Sequence, residues 1–129
     1  MSLASWKREF YPVPASKVPA DEALDHSIRK WRGLLPTALE RHGCERSEFG
    51  EVVGPGRASL DIDTASCALC THHYWDKFCK NCPLAIARGN VACCVRARGE
   101  TVSPYHAWAD LGDPKPMLVQ LRRAKRAAR

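Results

Sequence analysis

The spacing of apolar residues predicts a first helix over residues 21–32. Leu24, Ile28 and Trp31 recur at helical intervals and form one apolar stripe. Asp21 is a candidate N-cap at the start of this helix. Three cations lie off the stripe and are expected on a solvated face: Arg29, Lys30 and Arg32.

A second short helix and a β-hairpin are predicted next. Pro36 suits the first turn of a helix over residues 36–42, and Gly43 suits the position after its last turn. This helix and the first one would form a helical hairpin. Residues 49–53 and 58–63 flank a Gly-Pro-Gly turn, and the second run alternates apolar and polar residues. These two runs therefore predict antiparallel strands.

The C-terminal segment predicts an amphipathic helix over residues 115–129. It follows Asp113 and Pro114, which are typical of a helix start. Its apolar face consists of Met117, Leu121, Ala124 and Ala128. A shorter helical segment is predicted before it, over residues 103–108.

The N-terminal segment, residues 1–20, predicts an extended arm, because its three prolines hold their neighbours in extended conformations. Its aromatic residues are expected to pack on the body, since a free arm would leave them in water: Trp6, Phe10 and Tyr11. Together the patterns predict one small α+β domain. It comprises the arm, a body over residues 21–114 and the C-terminal helix over residues 115–129.

Length and composition support a single folded domain. The 129 residues are 45% hydrophobic and 26% charged, which excludes wholesale disorder. No stretch approaches the roughly 18 apolar residues of a membrane span, so no membrane partner is expected. Charged residues occupy positions 7–9, where an export signal would need its apolar segment, and a cytoplasmic location is therefore expected.

The net charge of +6 lies entirely in the C-terminal segment. All 14 Asp and Glu residues precede residue 115 and balance the Lys and Arg residues there. The uncompensated cations are Lys115, Arg122, Arg123, Lys125, Arg126 and Arg129. They predict that nucleic acid or a host protein binds at this helix, and a solvated, frayed end is the alternative.

Six of the seven cysteines lie within residues 67–94. Two C-x₂-C pairs, eight residues apart, supply the four sulfurs that a tetrahedral Zn²⁺ site needs. An odd number of cysteines without an export signal also favours metal binding over disulfides. The pattern therefore predicts a zinc-knuckle loop with four ligands: Cys67, Cys70, Cys79 and Cys82.

Two features of this prediction stay open. Four thiolates also suit an iron–sulfur cluster, although zinc is favoured. Cys93 is an alternative ligand, whereas its neighbour Cys94 cannot reach the same ion without strain. Cys44 lies far away in sequence and is expected in the core.

A second chemistry is suggested by His72, His73 and Asp76, which follow the first cysteine pair. Histidine and carboxylate side chains near a metal are typical of small metal-dependent nucleases. A four-cysteine zinc site is closed, however, and leaves no position for an activated water. The favoured interpretation is therefore that one of these histidines caps or packs beside the zinc loop while the other is exposed, and that the protein is not an enzyme.

Several motifs resemble those of a group of small cysteine-rich proteins encoded mostly by phages and prophages. They are Cys67-x-Leu-Cys70, Cys79-x-x-Cys82-Pro83-Leu84, Ser103-Pro104-Tyr105-x-x-Trp108 and Asp113-Pro114-x-Pro116-Met117. The resemblance implies a zinc-stabilised module and a recurring fifth cysteine at Cys93. The sequence as a whole predicts a non-enzymatic zinc-binding module that binds nucleic acid or a host protein; the metal-dependent nuclease and a structural or assembly component are the alternatives.

Overall fold

The structure is a computed structural model that describes the backbone of residues 1–63, 66–77 and 79–128, and the side chains of these residues except 74–77. Within these residues, seven α-helices and a three-stranded antiparallel sheet make a small α+β fold, which confirms the predicted class. The helices are α1 Leu3–Phe10, α2 Ala23–Arg32, α3 Pro36–Arg41, α4 Ala68–Lys77, α5 Pro83–Ala87, α6 Pro104–Leu111 and α7 Lys115–Ala127. The strands are β1 Glu45–Arg46, β2 Val52–Val53 and β3 Ser59–Leu60.

The first element, α1, corrects the prediction of an extended arm. Ser2 and Ser5 form a reciprocal capping box, in which each backbone N–H donates to the other residue's hydroxyl at 3.0 Å. Leu3, Trp6 and Phe10 recur at helical spacing and are buried. The prolines act only after residue 11, where the helix has already ended.

The aromatic residues of this segment pack on the body, as predicted. Trp6 is fully buried, and its indole Nε1 donates to the Gly33 carbonyl oxygen at 2.8 Å. Phe10 lies directly against Gly33, which follows α2. The contact joins the start of the chain to the α2–α3 turn.

Helix α2 begins at Ala23, two residues later than predicted. A short 3₁₀ turn, Ala20–Glu22, precedes it, and no side chain caps the helix. One prediction on this helix is wrong: Lys30 is 1% exposed rather than solvated. Its aliphatic stem is buried, and its ammonium group donates to the Ser66 carbonyl oxygen at 2.9 Å.

The centre of the molecule is built by α7, which packs against α2, α5 and α6. Its buried face consists of Met117, Leu118, Leu121 and Ala124, and its basic residues lie on the other side. The predicted amphipathic helix is therefore confirmed, although Ala128 is exposed. Helices α3 and α6 also form near their predicted positions.

The predicted β-hairpin is present with shorter strands. Val52 pairs with Leu60 across it, and the strand order is β1-β2-β3. The edge strand β1 has no counterpart in the sequence prediction. In the cysteine segment, residues 68–77 form helix α4 where a loop was expected. Among the described helices, none has the length and apolar character that crossing a bilayer requires.

Candidate metal centre and cationic groove

A cavity of about 160 Å³ lies beside α2, α4 and α7, and cysteines form much of its wall. Five of the seven cysteines line it: Cys67, Cys70, Cys79, Cys93 and Cys94. Most of the remaining wall is apolar, with Trp31, Leu69, Leu84, Met117 and Leu121. The fold thus gathers thiols from three separate segments around one space.

Cys67 and Cys70 reach the cavity from the start of α4. The backbone N–H of Cys70 donates to the Cys67 sulfur at 3.4 Å. A hydrogen bond from the Cys70 thiol, together with the nearby Lys30 ammonium, holds the pKa of Cys67 well below its usual value. The same hydrogen bond and burial raise the pKa of Cys70. The thiolate form is therefore favoured at Cys67 and the protonated thiol at Cys70.

Cys79 reaches the cavity from the turn before α5. Its backbone has φ +68°, in the left-handed region, and its N–H donates to the His73 carbonyl oxygen at 2.8 Å. Cys82 ends this turn and is buried, but it is not among the residues that line the cavity. The structure therefore places Cys93, rather than Cys82, on the wall with the other three.

The loop that carries Cys93 is held by Arg88, a residue that the sequence analysis missed. The Arg88 side chain is 1% exposed, and its guanidinium donates to the carbonyl oxygens of Val91 and Val95, each at 2.9 Å. It also contacts the Ala92 carbonyl oxygen and the Glu100 carboxylate. A buried arginine with backbone partners fixes the path of this loop and with it the position of Cys93.

The buried Lys30 also lines the cavity. Burial lowers the pKa of its ammonium, while the negative charges of ionised Cys67 and of Asp63 oppose this shift. No pattern in the sequence distinguishes Lys30 from the exposed cations beside it. Its burial is a product of tertiary packing.

In the described part of the chain, no three His, Cys, Asp or Glu side chains are arranged to hold one metal ion. Zinc therefore stays a prediction, as does the choice of its ligands. Cys44 is 5% exposed and belongs to the core, as expected.

One histidine of the nuclease alternative, His72, has a structural partner. The His72 ring Nε2 lies 2.7 Å from the Val18 carbonyl oxygen, so this nitrogen donates and anchors α4 to the N-terminal segment. Burial lowers the pKa of His73. The Asp76 side chain lies outside the described residues, so the nuclease alternative stays a prediction.

A second candidate site is a groove of about 630 Å³ between α2 and α7, with α1 at one end. Five cations line it: Arg29, Arg32, Arg122, Lys125 and Arg126. We call this surface the cationic groove. It combines part of the basic C-terminal helix with two arginines of α2 that the sequence analysis assigned to a solvated face.

Two carboxylates also lie in the cationic groove, and both already form ion pairs with cations of the protein. Glu9 contacts Arg41 and the His42 ring, and Asp25 pairs with Lys125. The guanidinium of Arg29 donates to backbone carbonyl oxygens of α1. Within the described residues, no hydrogen bond or ion pair engages Arg32, Arg122 or Arg126, so three exposed guanidinium groups are available to an anion.

The other cations of the C-terminal segment do not join this groove. Lys115 is exposed at the start of α7. Arg123 lines a separate cleft that contains Arg88 and Glu100. Arg129 lies outside the described residues.

Comparison of the chain with protein-family models, curated proteins and solved structures found no match. The resemblance to phage-encoded cysteine-rich proteins therefore stays a prediction.

Proposed function

We propose that this protein is a non-enzymatic module that binds nucleic acid through the cationic groove. In this proposal, a metal ion bound to the cysteines stabilises the fold. The observation that carries the proposal is a set of three exposed guanidinium groups in one groove that have no hydrogen bond or ion pair within the described part of the chain: Arg32, Arg122 and Arg126. A polyanion such as nucleic acid would supply hydrogen-bond and ion-pair partners to these guanidinium groups.

The arrangement of the cations favours a phosphate backbone. Arg122 and Arg126 lie one turn apart on α7, and Arg29 and Arg32 lie nearly one turn apart on α2. The two pairs line the same groove. Arginine is suited to this role because its planar guanidinium donates two parallel hydrogen bonds to a phosphate.

The groove offers little that would read bases. Its aromatic member, Phe10, is 6% exposed and packs into the core, so it presents no ring for stacking. Contacts from arginine to phosphate position a nucleic acid without selecting its sequence. We therefore propose binding of low sequence specificity.

The metal has a structural role in this proposal. A thiolate-bound ion would tie α4 to the turn before α5 and to the Cys93 loop. Zinc, which the sequence favours, contributes roughly 10–16 kcal/mol of apparent binding free energy in small thiolate folds. A metal bound in this way would stabilise the packing of the helices that line the groove.

The test is a titration of labelled single-stranded DNA, duplex DNA and RNA, followed by fluorescence anisotropy. We expect binding by the wild-type protein and a loss of about tenfold or more in the triple variant Arg32→Gln/Arg122→Gln/Arg126→Gln, because three charged contacts at roughly 0.5–1 kcal/mol each are removed. A matched control, Lys17→Gln/Arg57→Gln/Arg96→Gln, removes the same charge at exposed positions outside the groove.

Three outcomes would contradict the proposal. Equal losses in the two triple variants would show a general charge effect. No binding to any of the nucleic acids would overturn the proposal in favour of a protein partner. Cleavage of the probe that is lost in His72→Ala or His73→Ala would replace it with the nuclease alternative.

A further inference from the structure

A cleft of about 270 Å³ lies between the end of α5, the loop of residues 97–100 and α7. A space for one water-sized sphere needs only about 10–15 Å³, so this cleft has room for a group of several atoms. We call it the Arg88 cleft. It shares no lining residue with the cysteine-lined cavity or the cationic groove. Most of its wall is polar: Arg88, Arg98, Glu100, Gln120 and Arg123.

Arg88, on the wall of this cleft, has one N–H group without an acceptor. A guanidinium carries five N–H groups. Those at Nη1 and Nη2 donate to three carbonyl oxygens of the loop after α5 and to the Glu100 carboxylate. The N–H at Nε has no hydrogen-bond partner among the described residues, although the side chain is 1% exposed. Native structures rarely leave a buried N–H unpaired, because the unpaired group is costly. The Arg88 Nε is therefore available to an acceptor atom of a ligand.

Gln120 brings a second unpartnered polar atom to the cleft. Its side-chain Oε1 is buried and accepts no hydrogen bond within the described part of the chain. Gln120 lies on α7 three residues before Arg123, so the two side chains share one face of the helix, and both line the cleft. A ligand that pairs with this oxygen must donate a hydrogen bond, whereas a ligand atom that pairs with Arg88 Nε must accept one.

The cleft also carries an excess of positive charge. Three arginines and one carboxylate line it, which gives a net formal charge of +2. The carboxylate of Glu100 is already engaged by Arg88 and by the Ala97 N–H at 2.7 Å. The Glu100 N–H donates back to the Ala97 carbonyl oxygen at 3.0 Å, so the turn that carries Arg98 is closed at both ends. Over the residues that the structure describes, Arg98 and Arg123 are exposed and form no hydrogen bond or ion pair.

These features match a phosphate group that has a hydroxyl donor beside it. A phosphate group carries a charge of about −1.5 to −2 at pH 7, which balances the net charge of the cleft. Its bare oxygens are strong acceptors for arginine N–H groups. Inorganic phosphate at neutral pH retains a P–OH that can donate to Gln120, and a sugar phosphate supplies a hydroxyl of the sugar. Sulfate has a similar shape and charge, but it has no proton to donate.

We propose that the Arg88 cleft binds a small phosphorylated ligand, either inorganic phosphate or the phosphate ester of a sugar. The phosphate oxygens accept hydrogen bonds from Arg98, Arg123 and the Nε of Arg88. The hydroxyl of the ligand donates to Gln120. The proposal rests neither on nucleic-acid binding nor on a metal at the cysteines, so each of these can fail separately.

The test is isothermal titration calorimetry of the full chain with inorganic phosphate, ribose 5-phosphate and sulfate, each at the same pH and ionic strength. We expect at least one of the two phosphate ligands to bind, and the tighter of the two identifies the source of the phosphate group. Sulfate should bind about fivefold more weakly or less well still, because it makes one hydrogen bond fewer. No binding of either phosphate ligand would overturn the proposal, and so would an equal affinity for sulfate.

Variants test the residues of the cleft. Arg98→Gln/Arg123→Gln removes two exposed cations and should weaken phosphate binding about tenfold or more. Lys17→Gln/Arg57→Gln removes the same charge at exposed positions outside the cleft and should bind phosphate as the wild type does. Equal losses in these two variants would overturn the assignment of the site. Gln120→Met keeps a side chain of similar size without the acceptor, and it should abolish the preference for phosphate over sulfate. A retained preference would overturn the role of Gln120.

Discussion

At the scale of single residues, the fold depends on close contacts that the sequence pattern does not reveal. Gly33 follows α2 with φ −69°, a conformation that any residue adopts. A Cβ placed on it would lie 2.4 Å from the ring Cγ of Phe10 and 2.7 Å from its Cβ. Glycine is required here for space rather than for backbone freedom, because α1 packs directly on this turn.

Replacing Gly33 should therefore destabilise the protein through a steric clash. We expect Gly33→Ala to lower the free energy of unfolding by about 3 kcal/mol, near the upper end of the usual cost of overpacking. Chemical denaturation measures this loss. The control Gly99→Ala has φ +88° and nothing within 4 Å, so it should cost only about 1 kcal/mol of backbone strain. Equal losses would contradict the contact.

Lys30 shows that the burial of a charged residue cannot be inferred from its position in the sequence pattern. By spacing it belongs with Arg29 and Arg32, yet it is 1% exposed and they are exposed. Which of three adjacent cations is buried depends on where α4 and α7 pack against α2. That information is tertiary, and for this reason the sequence could not assign Lys30 to the cysteine cavity.

At the scale of elements, the predictable helices have both periodicity and a start signal. Helix α6 follows Ser103, whose hydroxyl accepts the His106 N–H at 3.1 Å, and α7 follows the Asp113-Pro114 pair. The prediction failed for α1 because the later prolines outweighed its Ser2–Ser5 capping box. It failed for α4 because two cysteines three residues apart suit a helix start as well as a loop.

The segment after α5 has no regular secondary structure, and hydrogen bonds from Arg88 hold its backbone in place. We expect Arg88→Gln to cost about 3 kcal/mol or more, because it leaves buried carbonyl oxygens and Glu100 without their partner. Hydrogen exchange should show lost protection at residues 91–97, with α1 unchanged. Arg96→Gln, at an exposed position of the same loop, is the control and should behave as wild type. Unchanged hydrogen exchange in Arg88→Gln would contradict the role of Arg88 in holding this loop.

The candidate sites were predictable to different degrees at this scale. C-x₂-C spacing is enough to predict a thiolate centre, and three of the four predicted ligands, Cys67, Cys70 and Cys79, line one cavity in the structure. It could not choose between Cys82 and Cys93, because that choice depends on how the loop after α5 folds back. The cationic groove was half predictable: its α7 side is visible as a charge run, whereas its α2 side requires knowledge of helix packing.

At the scale of the whole molecule, the charge is divided between two regions. Five cysteines and the buried ammonium of Lys30 line the cavity on one side of α2, and exposed guanidinium groups line the groove between α2 and α7. Helix α2 contributes to both through Lys30 and through Arg29 and Arg32. The cysteine-lined cavity and the cationic groove therefore share one helix.

We expect loss of the proposed metal centre to weaken nucleic-acid binding indirectly. α2 and α4 are in contact, so disorder around the cysteines should loosen the α2 side of the groove. The α7 side is held separately by its own buried face. In the proposed function, nucleic-acid binding depends on both sides of the groove at once.

The most direct measurement of the central claim is the salt dependence of nucleic-acid affinity. If the groove contacts three to five phosphates, log affinity should fall with log salt concentration with a slope of about −2 to −4.5, since each contact contributes roughly 0.7–0.9. The triple variant Arg32→Gln/Arg122→Gln/Arg126→Gln should lose about 2 to 3 of that slope. The account predicts this reduced slope; a variant that keeps the wild-type slope would contradict it.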